Sequence, residues 1–122
     1  MPNSTTDKLL AIIAHLGYFS GVGFLIAPAI IWFLKKDSSP FVAHHAKQAM
    51  VWQGANLVFG TLFCLGGFVL TFVTAGLGAL LFVPACFLLG LLLFIPSILA
   101  SIKVFGDQEY SYPVTGAYAE KL

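Results

Sequence analysis

From Gln48 to Ile102 the chain contains no Lys, Arg, Asp or Glu, and the same holds from Leu9 to Leu34. A bilayer core needs only about 20 apolar residues per helical span, so the longer block has room for two spans. A soluble fold would have to hide both blocks from water. The 122 residues are 59% hydrophobic and only 9% charged, whereas soluble domains carry roughly 25% charged residues. The sequence therefore predicts an all-α fold, an integral membrane helical bundle, with the lipid bilayer as its first partner.

Several function classes fall away. A net charge of +1, with every basic charge a Lys, leaves no electrostatic footprint for nucleic acid and no Arg for bidentate phosphate contacts. Cys64 and Cys86 lie within the apolar block without a second Cys nearby, so neither a zinc site nor a redox pair is expected. Lys8, the apolar run after it and Ala27-Pro28-Ala29 imitate a secretory leader, but Ile30 to Leu34 continue the apolar run where a mature soluble chain would turn polar. Cleavage is not expected.

The chain reads as one domain, 1–122, with an N-terminal cap (1–8), a broken apolar block (9–34), long helices over 40–73 and 78–105, and a polar aromatic tail (106–122). Thr5, Thr6 or Asp7 should cap the first helix. Ser39-Pro40 is an N-cap and N1 pair that starts the first long helix. Thr74-Ala75-Gly76-Leu77-Gly78 is the break that makes the two long helices antiparallel. Pro84 and Pro96 should kink the second, with hydroxyls such as Ser97 helping to satisfy the freed carbonyls. Tyr110-Ser111-Tyr112-Pro113 reads as an extended, interface-seeking tail.

The block 9–34 admits two models. As one span it would run about 39 Å, long for a core of about 30 Å, giving three spans with a kinked first helix. As a hairpin turning between Gly17 and Pro28 it gives two short arms of about 20 Å, hence four helices in all. The hairpin places Lys8 with Lys35, Lys36, Lys47, Lys103 and Lys121 on one side, and the positive-inside rule makes that side, the lysine-rich loop and the C-terminus included, cytoplasmic in a multi-pass protein of the cell membrane.

His15 is the only ionisable residue in the first apolar block. In the hairpin it lies level with Gln53 and Asn56, so His15, Gln53 and Asn56 form a candidate intramembrane polar cluster. His44, His45, Lys47, Gln48 and Trp52 form a candidate stripe for the interface or a partner. His45, Gln48, Trp52 and Asn56 recur at helical spacing. His44 and His45 are adjacent and point about 100° apart, so they do not chelate one metal. No catalytic residue, metal ligand or cofactor site stands out. There is no nucleophile elbow or phosphate loop, no small-molecule substrate is evident, and no acid lies within a span to orient His15.

Ala14-His15-Leu16, Pro28-Ala29-Ile30-Ile31-Trp32, Lys35-Lys36-Asp37-Ser38-Ser39-Pro40-Phe41-Val42, His45-Ala46-Lys47-Gln48-Ala49 and Gln53 together resemble a bacterial family of uncharacterised small membrane proteins. That family is related to the twenty-kilodalton subunit of the chloroplast inner-envelope import machinery, the Tic complex. Tyr110 to Pro113 resembles the aromatic-proline ending of its bacterial members. The resemblance implies four membrane helices with both termini on one side. The expected function is structural or interaction-based, in a homo-oligomer or with another membrane protein; an oligomeric pore or translocation component similar to the chloroplast import subunits is the alternative, and an enzyme is not expected.

Overall fold

A computed structural model describes residues 3–17 and 25–121. Its helices are α1 (Thr5–Leu16), α2 (Ile26–Lys35), α3 (Pro40–Val73), α4 (Ala79–Phe105) and the short α5 (Gly116–Ala119). There is no strand among the described residues. α3 and α4 are both long and apolar enough to cross a membrane.

Local chemistry explains the helix ends. Ser4, one residue ahead of the expected caps, opens α1, with its Oγ accepting from Asp7 N at 3.1 Å. Ser39 caps α3 through Val42 N, with Pro40 in the first turn. Between α3 and α4, Thr74 Oγ1 donates to Leu70 O and accepts from Gly78 N, both at 2.7 Å. Gly76 has φ +97, and a Cβ at Gly78 would crowd the Leu70 backbone at 3.0 Å; both positions favour a residue without a side chain. The α4 helix continues through Pro84 and Pro96 to Phe105.

The first apolar block contains two helices. The start of α1 is tied to the start of α3, with Ser39 Oγ donating to Asp7 Oδ2 at 3.3 Å. The end of α1 and the beginning of α2 meet at one side chain, since Gln53 Nε2 donates to Ala14 O at 3.0 Å and Gln53 Oε1 accepts from Leu25 N at 2.8 Å. The two helices therefore run beside the first half of α3 in opposite directions. The turn expected between Gly17 and Pro28 falls largely on 18–24, outside the described residues.

Burial divides the molecule into two zones. On α3 the buried residues are Phe41, Val42, His45, Ala46, Gln48, Ala49, Trp52, Gln53 and Asn56, then only Gly67; on α4 they are Ser97, Ala100, Ser101 and Val104. This lysine-rich end is a bundle in which small residues, Ala11, Ala14, Ala46 and Ala49, let the helices approach Ile31, Phe41 and Val104. Toward the α3–α4 turn the side chains point outward instead: Phe72 is 82% exposed and Leu81 76%. So much exposed apolar surface needs a nonaqueous surrounding. The two helices touch there through Phe82, whose ring packs against Phe63, centroids 5.5 Å apart, and lies over Gly67.

The tail differs from the extended segment that the sequence predicts. Residues 110–120 fold back onto α3, and α5 forms one turn there with Gly116 and Ala119 buried. Contacts of Tyr112 with His15, Gln48 and Trp52 supply the reason.

Candidate functional site

The lysine-rich bundle encloses a chain of polar side chains. His15 Nε2 lies 3.0 Å from His45 Nδ1, His15 Nδ1 lies 2.7 Å from the Tyr112 hydroxyl, and that hydroxyl lies 3.3 Å from Ser97 Oγ. At the other end His45 Nε2 lies 3.2 Å from Gln108 O. His15, His45 and Ser97 are fully buried. A carbonyl only accepts, so His45 Nε2 carries a proton. A neutral His45 then accepts at Nδ1 from His15 Nε2–H, and His15 accepts at Nδ1 from the tyrosine O–H. One carbonyl thus sets the tautomers of both rings.

Gln48 organises the tail. Its Oε1 accepts from Tyr112 N at 3.1 Å, and its Nε2 donates to Gly116 O at 3.1 Å and Glu120 Oε1 at 2.9 Å. Trp52 stacks on Tyr112 with centroids 4.9 Å apart and planes 16° apart. His44 places Nε2 3.1 Å from Tyr110 O and Nδ1 3.1 Å from Glu120 Oε1, with Lys47 Nζ 3.9 Å from Glu120 Oε2. The N-terminus is tied to the end of α4 by Asp107, which accepts from Asn3 N and pairs with Lys8 Nζ, both at 2.9 Å. The Lys8 ammonium, with help from Asn3, holds the Asp107 carboxyl below its ordinary range.

The two sequence-predicted clusters are thus arranged differently from the expectation. His15 bonds Tyr112 and His45, not Gln53; Gln53 instead bonds the backbone of Ala14 and Leu25, and Asn56 is buried farther along α3. In the stripe, His44, Lys47, Gln48 and Trp52 meet the chain's own tail, while His45 turns inward to His15. Tyr112, Ser97 and Glu120 complete these networks; the sequence marked Ser97 as a hydroxyl beside Pro96 and Tyr112 as part of an interface-seeking tail, and it gave no signal for Glu120. Among the described residues no group of three or more His, Cys, Asp or Glu is placed to hold a metal ion.

A family model for magnetosome magnetite crystal formation proteins matches residues 6–119. The chain belongs to that magnetosome family, MamF/MmsF. No match was found among curated proteins or among solved structures. Membership corrects the resemblance to the Tic-related proteins, which are a different family. The residues that carried the resemblance include a helix cap (Ser39-Pro40) and core positions (His45, Ala46, Gln48, Ala49). Such positions answer to packing and hydrogen bonding, which unrelated helical membrane bundles share. The MamF/MmsF assignment and the two long apolar helices together make this a membrane protein.

Proposed function

We propose that this member of the magnetosome family is a structural component of the membrane in which magnetite crystals form, and that it contributes through its shape and contacts, without a catalytic step. The observation that supports this most is the use of the buried polar groups. The side chains of His15, His45, Gln48, Gln53 and Tyr112 bond one another, Ser97 or the backbone of another segment. Each bond joins parts of the chain far apart in sequence, which is what a scaffold needs of polar residues in an apolar setting.

The fold also suggests how the protein sits. From Gly54 to Val73 α3 rises about 29 Å, and from Ala79 to Ser97 α4 rises about 27 Å, each close to one bilayer core of about 30 Å. The antiparallel α3–α4 pair is the membrane anchor in this reading, and the α1–α2 hairpin and the tail form a collar around its lysine-rich end. That end faces the cytosol, because all six basic residues lie there and cytoplasmic segments retain lysine.

Deleting the gene in a magnetite-forming cell and imaging the crystals tests the role. Crystals of altered size or shape, restored by the full chain, are expected; unchanged crystals would overturn the assignment. Tyr112→Phe separates structure from catalysis. It should impair the crystals only as far as it lowers the amount of folded protein, and a crystal defect with undiminished folded protein would make the histidine chain catalytic.

A further inference from the structure

Between the last turn of α2 and the first turns of α3 lies a cavity of about 380 Å³ lined by Trp32, Lys36, Pro40, Ala43, His44 and Lys47. Two helices deliver positive charge to it. Lys36 Nζ rests over the rings of Trp32 and Phe33, 5.5 and 5.2 Å from their centroids, and makes no ion pair among the described residues. Lys47 comes from α3 with a side chain only 18% exposed, beside His44 at 11%, so these two groups are set into the wall and do not sweep freely through solvent.

The acid that answers this charge is Glu120, about half exposed, which reaches His44 Nδ1 at 3.1 Å and Lys47 Nζ at 3.9 Å. The second distance is well beyond the 2.7–2.9 Å of a strong charge-assisted bond, and an ammonium has three donors. Lys47 therefore keeps donors for another anion, and Lys36 keeps all of its own. Pro40 and Ala43 add the N-terminal turn of α3, whose dipole favours negative charge. Trp32 offers an apolar flank with a polar edge.

We propose that this cavity binds a phosphate group, with Lys36 and Lys47 neutralising it and Trp32 lying against whatever the phosphate is attached to. The chemistry fits the headgroup of an anionic lipid or free inorganic phosphate. It stands apart from any role in crystal formation.

The test uses the full chain with Trp52→Phe, which keeps an aromatic ring on Tyr112 and leaves Trp32 as the only indole. In phosphatidylcholine nanodiscs, Trp32 emission is followed as inorganic phosphate is added, and separately as phosphatidic acid replaces the neutral lipid. A saturable change is expected, weakened about fivefold by Lys36→Gln or by Lys47→Gln, kept by Lys36→Arg and untouched by Lys103→Gln, which lies outside the cavity. Response to inorganic phosphate assigns a site for the free anion; response to phosphatidic acid alone assigns a lipid headgroup site. No saturable change with either, or an equal loss from Lys103→Gln, overturns the proposal. If Lys47→Gln loosens the tail, Lys36→Gln decides alone, because the Lys36 ammonium holds no acid in place.

Discussion

Gln48 on α3 accepts the backbone amide proton of Tyr112 at 3.1 Å, and this bond fastens the C-terminal tail across the buried histidines. The Gln48 side-chain Nε2 also donates to Gly116 O and to Glu120 Oε1. Gln48→Leu removes all three bonds, so it should lower stability by about 2 to 4 kcal/mol. Reversible unfolding in detergent measures this. An unchanged midpoint would mean that the other tail contacts, the Trp52–Tyr112 stack and the His15–Tyr112 bond among them, hold the tail without Gln48.

Gln53 joins the end of α1 to the beginning of α2. Gln53→Leu keeps the volume and removes both bonds, so exchange of the Leu25 amide proton should quicken by roughly tenfold, the equivalent of one lost net hydrogen bond. Hydrogen exchange resolved to that residue reads it, and unaltered protection would show that apolar packing alone positions α2.

Phe82 lies over Gly67 so closely that any Cβ at Gly67 would meet the ring. Gly67→Ala should destabilise the α3–α4 pair by about 1 to 3 kcal/mol, the usual cost of overpacking. Phe82→Leu in the same chain should recover part of it. A double variant no more stable than Gly67→Ala alone would place the cost elsewhere.

The Lys8–Asp107 pair gives the fold an acid-sensitive contact. The Asp107 pKa is lowered in the folded chain from a reference of 3.8, so the unfolded state binds the proton more readily. Its contribution is fully present above pH 3.8 and is lost as pH falls through the lower, folded value. Melting temperature followed downward from pH 6 should show this acid-side loss, and Asp107→Asn should remove that component. An identical acid profile in the variant would rule the pair out as its source.

Ser38 and Ser111 are both exposed at the lysine-rich end. With Cys64 and Cys86 replaced by Ala, Ser38→Cys and Ser111→Cys should react with an impermeant thiol reagent from the same, cytosolic side. Labelling of the two from opposite sides would refute the anchor arrangement.

Sequence alone determined where chain and solvent meet. The longer charge-free block fixed two long apolar helices, Ser39-Pro40 fixed the start of α3, and Thr74 to Gly78 fixed the reversal before α4, while the first block stayed open between one span and a hairpin. These are local matters of capping, turn geometry and transfer out of water, and each is written in a few neighbouring residues. Tertiary structure decided the partners. His15 meets Tyr112 across 97 positions and Gln48 meets the same residue across 64. The tail that supplies Tyr112 has no helical period and carries Pro113, so it read as an extended segment at the interface. It folds back because the buried Gln48 amide and His15 ring need partners, a requirement visible only once α1, α3 and α4 have brought those groups together.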